Sequence, residues 1–154
     1  MAQDETRQLS ADEYELFKTA CKDGHIRLTP QRLEVFREVI NSHDHPSAED
    51  IYNRVKDRLP SISLDTVYRT LSTFETCGLI SRIHFSEDRA RFDPNGEPHH
   101  HLFCVECKAI EDFYWPDFEN ADLPPETAGW GHTVSRHVQI RGKCSRCFTH
   151  ENDS

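Results

Sequence analysis

The sequence predicts an α+β chain in two lobes, helical first and strand-rich second, with the second lobe stapled by a metal. Three observations predict it. Apolar residues recur at helical spacing as far as Phe74 and in short strand-like runs afterwards. Asp93-Pro94-Asn95-Gly96 is turn chemistry and marks a boundary between the two regimes. Beyond it stand two Cys-x-x-Cys pairs, Cys104/Cys107 and Cys144/Cys147, in a chain of 154 residues that is only 36% hydrophobic. So small an apolar share is poorly suited to holding a small lobe together unaided. The expected division is residues 1–93, a hinge at 94–98, and residues 99–154.

Residues 1–10 are polar and are expected to fray. Residues 11–23 carry Leu16, Phe17, Ala20 and Cys21 on one helical face, with Gly24 past the end. Thr29-Pro30 is an N-cap followed by proline at the first helical position, and Leu33, Phe36, Val39 and Ile40 line the helix it opens. Ser47 and Asp50 have capping-box spacing before Ile51, Val55 and Leu59, and Pro60 stops that helix. Ser63 caps the next, whose inner stripe is Leu64, Val67, Leu71 and Phe74. Thr66, Arg69, Thr70 and Thr73 fall on the opposite face, with Tyr68 at its edge, and Gly78 ends the helix. Residues 79–84 and 89–92 follow as two short strands joined by a polar turn at 85–88. Three helices, the last with an Arg- and Tyr-bearing face, and then a hairpin give the order of a winged helix-turn-helix. On that reading Thr66, Tyr68, Arg69, Thr70 and Thr73 contact DNA; on the plainer one the helix is merely amphipathic. The net charge of -9 is the wrong sign for non-specific nucleic-acid binding, so any DNA contact must come from a local patch or be aided by bound cations.

In the second lobe, residues 101–105 and 109–114 are expected as strands on either side of the first Cys-x-x-Cys. Residues 116–131 are irregular, with at most a short helix near Pro124-Pro125. Residues 133–140 alternate as a strand leading to the second pair, and the tail from His150 is polar. Trp115 and Trp130 are expected to pack, and Cys21 and Cys77 to be small core residues.

Cys104, Cys107, Cys144 and Cys147 suit a structural zinc. Two tight pairs can complete a tetrahedral sulfur shell that leaves no open position. The alternative is disulfides or a redox dithiol. No apolar run approaches the roughly 20 residues that span a bilayer, and the N-terminus has no apolar leader. The cytoplasm, where thiols stay reduced, is therefore the expected compartment, and it favours zinc.

A second cluster has different donors. His99 and His101 are two apart in an extended stretch, so both point to one side while His100 points to the other. Asp93 lies just upstream and Asp112 on the adjacent strand. Glu111 is Asp112's neighbour, and strand alternation lets only one of them face the histidines. Imidazole with carboxylate suits Fe(II), Mn(II) or Zn(II). The competing reading is a solvated polar loop. A hydrolase using such a cluster to activate water is a third reading, but five protein ligands leave little open coordination and no separate base is evident. A zinc store or scaffold would leave the Tyr68-Arg69 face unused.

Taken together, the motifs R-L-T-P-Q-R (27–32), H-P-S-A-E-D-I-Y (45–52), D-T-V-Y-R-T-L (65–71), G-L-I (78–80), R-F-D (91–93), H-H-H-L-F-C-V-E-C (99–107) and C-S-R-C (144–147) resemble the ferric uptake regulator family of bacterial metal-dependent repressors. The resemblance runs from about Leu16 to Cys147. It implies a homodimer with a C-terminal dimerisation domain, operator DNA as partner, and a regulatory ion held by His45, Asp93, His99, His101 and Asp112. Aspartate at both acidic positions is similar to the family's peroxide-sensing branch. There, bound Fe(II) reacts with hydrogen peroxide and a coordinating histidine is oxidised, whereas Mn(II) represses without sensing. His45 and His99 match the oxidised positions. An iron- or zinc-uptake repressor is the alternative within the family. Some members hold a further ion. Glu119 and His137 match that site, while Pro98 and His100 stand where its histidine and acid would be.

Overall fold

The computed structural model of the chain describes residues 7–85 and 89–152. They form two compact units that divide between Gly96 and Glu97.

The first unit is built from helices α1 (Ala11–Asp23), α2 (Pro30–Asn41), α3 (Ala48–Val55) and α4 (Leu64–Thr76), then strands β1 (Ser81–Ile83) and β2 (Arg91–Asp93). Ser10, Thr29, Ser47 and Ser63 each accept the backbone N–H three residues on, so each helix starts where a hydroxyl satisfies an orphan donor. Ser10 and Ser47 complete reciprocal capping boxes with Glu13 and Asp50. Fraying therefore does not extend to Ser10; residues 1–6 lie outside the described residues. Helix α3 stops at Val55, short of Pro60, and the chain turns so that Arg58 reaches Glu34 (3.1 Å) and the buried Glu38 (2.7 Å).

Phe17, Phe36 and Phe74 meet at the centre with ring centroids 4.9, 5.9 and 6.0 Å apart. Val35, Val39, Ile51, Val55, Val67 and Leu71 pack around them, fully buried. Cys21 joins this core and Cys77 is half-buried. Strands β1 and β2 pair antiparallel, Ser81 opposite Asp93 and Ile83 opposite Arg91. They are shorter than expected because Leu79 and Ile80 are drawn into the helical core. Of the turn between them, residues 86–88 lie outside the described residues.

The second unit is a three-stranded sheet, with β3 (His100–Cys104) at its centre. Strand β4 (Ile110–Phe113) runs antiparallel to it and β5 (Gln139–Gly142) parallel. A short helix α5 (Pro116–Asn120) and a 3-10 turn (Pro125–Thr127) lie in the connection, and α6 (Ser145–Asn152) ends the chain. Two expectations are corrected. Residues 133–138 are not strand, because β3 offers a parallel partner only from His101 to Cys104. Ser145–Asn152 is helical, where the sequence predicts only the second Cys-x-x-Cys and a polar tail from His150. Trp130 does not pack within this unit, being 78% exposed. Among the described residues the unit fully buries only Phe103, Cys104 and Ile110 of its hydrophobic side chains. At about 1.5–3 kcal/mol each, they are a slender core for the chain they must order.

Candidate metal centres and recognition helix

The end of β3 and the turn after it present Cys104 and Cys107, and the residue before α6 and its first turn present Cys144 and Cys147. The four sulfurs lie within 4.8 Å of one another. The Cys144 N–H points at the Cys104 sulfur (3.4 Å), and Cys107 and Cys144 sulfurs are 3.8 Å apart. N–H groups from Cys144 and then Cys107 hold the Cys104 thiol down at about 6. Hydrogen bonding by Cys144, then burial, pushes Cys147 up to about 12. A thiolate already favoured by backbone donors, with three more thiols around it, is the donor set of a closed tetrahedral zinc site. Lys108 closes this turn at a φ of 63°, a left-handed conformation that favours glycine. Lys108→Gly is expected to stabilise the zinc-loaded chain by about 1 kcal/mol, seen as a higher Tm. A lower Tm would mean that the bond from Lys108 Nζ to the Val105 carbonyl (2.7 Å) outweighs the strain.

Still within the second unit, the sheet register answers which acid faces the histidines. Asp112 is paired with His101, and Glu111 with the exposed Leu102. Asp112 Oδ1 lies 3.3 Å from His101 Nε2 and 3.6 Å from His99 Nε2. The proton positions follow from the partners. His99 Nδ1 is 2.6 Å from the Glu97 carbonyl, which can only accept, so Nδ1 carries the proton. His137 Nδ1 likewise donates to the His99 carbonyl (3.1 Å), so in the neutral ring its Nε2 accepts from His101 Nδ1 (3.1 Å). Both remaining lone pairs, on His99 Nε2 and His101 Nε2, then face each other across 3.0 Å. Two imidazole lone pairs that close, beside a carboxylate, repel unless a cation or a proton lies between them. The arrangement fits a borderline divalent ion.

The first unit holds its own pair. The Phe92 N–H donates to the Pro46 carbonyl (3.0 Å), and Ser47 bridges to Arg91, so β2 is tied to the loop before α3. The Arg91 guanidinium donates to the carbonyls of His45 and Asp44. This clamp holds His45 at a φ of 52°, another left-handed non-glycine. Asp93, one residue beyond Phe92, receives the Asn95 N–H on Oδ1 (2.8 Å) and places Oδ2 3.4 Å from His45 Nε2. Both residues are buried. The role of Arg91 was not foreseen; its presence in R-F-D was the available signal.

His100, Glu119 and His137 do not form a third metal cluster. His100 is buried against Phe113 and Phe118 and accepts the Val138 N–H on Nδ1 (3.1 Å). Its Nε2 must then carry the ring proton, 3.4 Å from Glu119 Oε1, so it has no lone pair for an ion.

On α4, Arg69 is exposed and pairs with Asp65 (2.9 Å), and Tyr68 is exposed with its hydroxyl donating to Glu49 (2.7 Å). Thr66 and Thr73 are half-buried. Thr70 is corrected: it is 4% exposed, because it lies three residues after Val67 and four before Phe74, on the edge of the inner stripe. A groove of about 340 Å³ runs between the start of α2 and this face, lined by Arg27, Arg32, Asp65, Thr66, Arg69 and Thr73, with Thr70 at its floor. Arg27 and Arg32 give the acidic chain a local basic patch that periodicity on α4 alone did not reveal.

The model of the ferric uptake regulator family matches residues 23–138. The peroxide-responsive repressor PerR of Staphylococcus aureus strain Mu50 is 30% identical over 142 residues, covering 91% of this chain and 96% of that protein. The ferric uptake regulator Fur of Helicobacter pylori, described with three functional metal binding sites, superposes with a TM-score of 0.75 at 23% identity, covering 92% and 97% of the two chains. Fur of Vibrio cholerae, whose structure reveals rearranged DNA-binding domains, gives a TM-score of 0.67 at 28% identity, over 83% of this chain and 99% of that one. The chain belongs to the ferric uptake regulator family and is a metal-responsive transcriptional repressor, not an enzyme.

Proposed function

We propose that the chain works as a homodimer that binds operator DNA when a regulatory divalent ion is present, and that it responds to peroxide when the ion is iron. The ligands we assign are His45 and Asp93 from the first unit with His99, His101 and Asp112 from the second. The observation that carries this reading is the pair of imidazole lone pairs 3.0 Å apart beside Asp112. The clamped His45–Asp93 pair supplies compatible donors. Ligands from both units that share one ion favour the arrangement in which they converge, and if that arrangement suits the operator, ion and DNA binding strengthen each other reciprocally. Without the ion, Asp93 and Asp112 lack its charge.

Fe(II) held there would supply electrons to hydrogen peroxide, whereas Mn(II) would supply charge without ready oxidation chemistry. His45 and His99 are the imidazoles we assign to take up oxygen. Aspartate at both acidic positions and the similarity to a peroxide-responsive repressor support this over iron- or zinc-uptake control. The test is to load the zinc-containing protein with Fe(II) or Mn(II), add micromolar peroxide, and weigh the peptides holding His45 and His99. Oxygen addition with iron alone, together with loss of operator binding, is expected. Unmodified peptides with persistent DNA binding would instead indicate an uptake regulator.

For DNA we assign Tyr68 and Arg69 to readout, with Thr66 and Thr73 beside them and Arg27 and Arg32 at the groove edge. Arg69→Ala is expected to weaken operator binding by about 1–3 kcal/mol at fixed salt. An unchanged titration removes Arg69 from the readout set. The second unit is the dimerisation surface in this reading. It leaves Trp130, Val134, Ile140 and Phe148 exposed, with β5 as an open sheet edge, and a second copy is the occupant we assign. No helix among the described residues is long and apolar enough to cross a membrane, and we place the protein in the cytoplasm, where the thiols stay reduced.

A further inference from the structure

We propose that His137 is a positioning residue of the regulatory site, a single imidazole that braces both histidine ligands of the second unit; this rests on the ligand assignment above. Its Nε2 accepts from His101 Nδ1 (3.1 Å) and its Nδ1 donates to the His99 carbonyl (3.1 Å). The first bond selects the His101 tautomer whose Nε2 faces Asp112 and His99. The second ties the backbone of His99 to the same ring. A ligand histidine whose other nitrogen is held in this way is oriented before the ion arrives and is made a better donor.

His137 is itself held in register by its neighbour. The Val138 carbonyl accepts the His101 N–H (3.1 Å), and the Val138 N–H donates to His100 Nδ1 (3.1 Å). Residue 138 is thereby pinned to two successive residues of β3, one on each side of the backbone. The bond to His100 also keeps that ring from offering Nε2 to an ion, so His100 and His137 do not share a metal. His100 Nε2 lies 3.4 Å from Glu119 Oε1 without a hydrogen bond to it, and His137 turns to His101.

The test is a Mn(II) titration, read by electron paramagnetic resonance, of the full-length zinc-loaded chain. His137→Ala should weaken Mn(II) binding roughly 10–100-fold while still saturating at the wild-type number of ions per chain. His137→Gln, whose amide oxygen can accept from His101, should recover most of the affinity. His137→Lys, which can only donate, should not, and comparing these two polar variants serves if the alanine variant folds poorly. Wild-type affinity in His137→Ala, or equal affinity in the Gln and Lys variants, would overturn the inference. So would a lower saturating count in His137→Ala, which would make His137 a ligand of its own ion. His101→Ala is the control on the underlying assignment: if it binds Mn(II) like the wild type, the regulatory site itself is wrong.

Discussion

Cys107→Ser is expected to strip the structural zinc and melt the second unit while the first keeps its own unfolding transition. The second unit fully buries only Phe103, Cys104 and Ile110 of its described hydrophobic side chains, whereas the core cluster around Phe17, Phe36 and Phe74 belongs entirely to the first. Structural zinc contributes on the order of 10–16 kcal/mol of apparent binding energy near neutral pH, comparable with a small domain's whole stability. Without its fourth thiolate the site loses much of that energy. The measurement is zinc content together with thermal unfolding followed at the tryptophans, Trp115 and Trp130, both in the second unit. Stoichiometric zinc with an unchanged tryptophan transition would contradict the account. Acid should act in the same direction. Zinc takes thiolates, Cys147 in the metal-free chain holds its proton up to about 12, and Cys104 gives up its own at about 6. Binding at neutral pH must therefore expel protons. Apparent zinc affinity should fall as the pH falls, more steeply below about 6, where Cys104 is protonated as well.

The other large effect is expected from His101→Ala. The wild-type chain should bind an operator, selected from random duplex DNA, roughly 5–150-fold more tightly with Mn(II) than without, the range of an ordinary coupling free energy. In the variant the added ion should make little difference, because the substitution removes a donor and the partner that holds the His137 ring. Zinc content should stay at the wild-type level, since the four cysteines are untouched. Anisotropy titrations at one salt concentration decide it, as phosphate contacts make affinity steeply salt-dependent. A variant that keeps the full response to Mn(II) would exclude His101 from the switch.

What could be read directly from the chain was local. A serine or threonine before a helix marks its start whatever surrounds it, and Thr29, Ser47 and Ser63 cap as a one-dimensional reading expects, while Ser10 caps in a stretch that was expected to fray. The paired cysteines carry their spacing with them in the same way. What was missed depends on which segments meet. Thr70 is as polar as Thr73, yet it is buried because its angular position falls within reach of the core. Residues 133–138 alternate like a strand but have no strand to pair with. Glu111 and Asp112 are equivalent until the register with β3 puts Asp112 opposite His101. His137 could be matched to a family site from sequence, but its bond to His101 requires two stretches 36 residues apart to be brought together.

The central claim is that one ion is shared by ligands from both units, and a double-substitution cycle in Mn(II) affinity tests it most directly. His45→Ala, His101→Ala and the double variant are titrated alongside the wild type, all with zinc in place. For a shared ion, either single change should remove most of the affinity, and the second should cost little more. Independent losses that add, or two Mn(II) sites of which each substitution removes only one, would show that the units bind metal separately and that the switch proposed here does not operate.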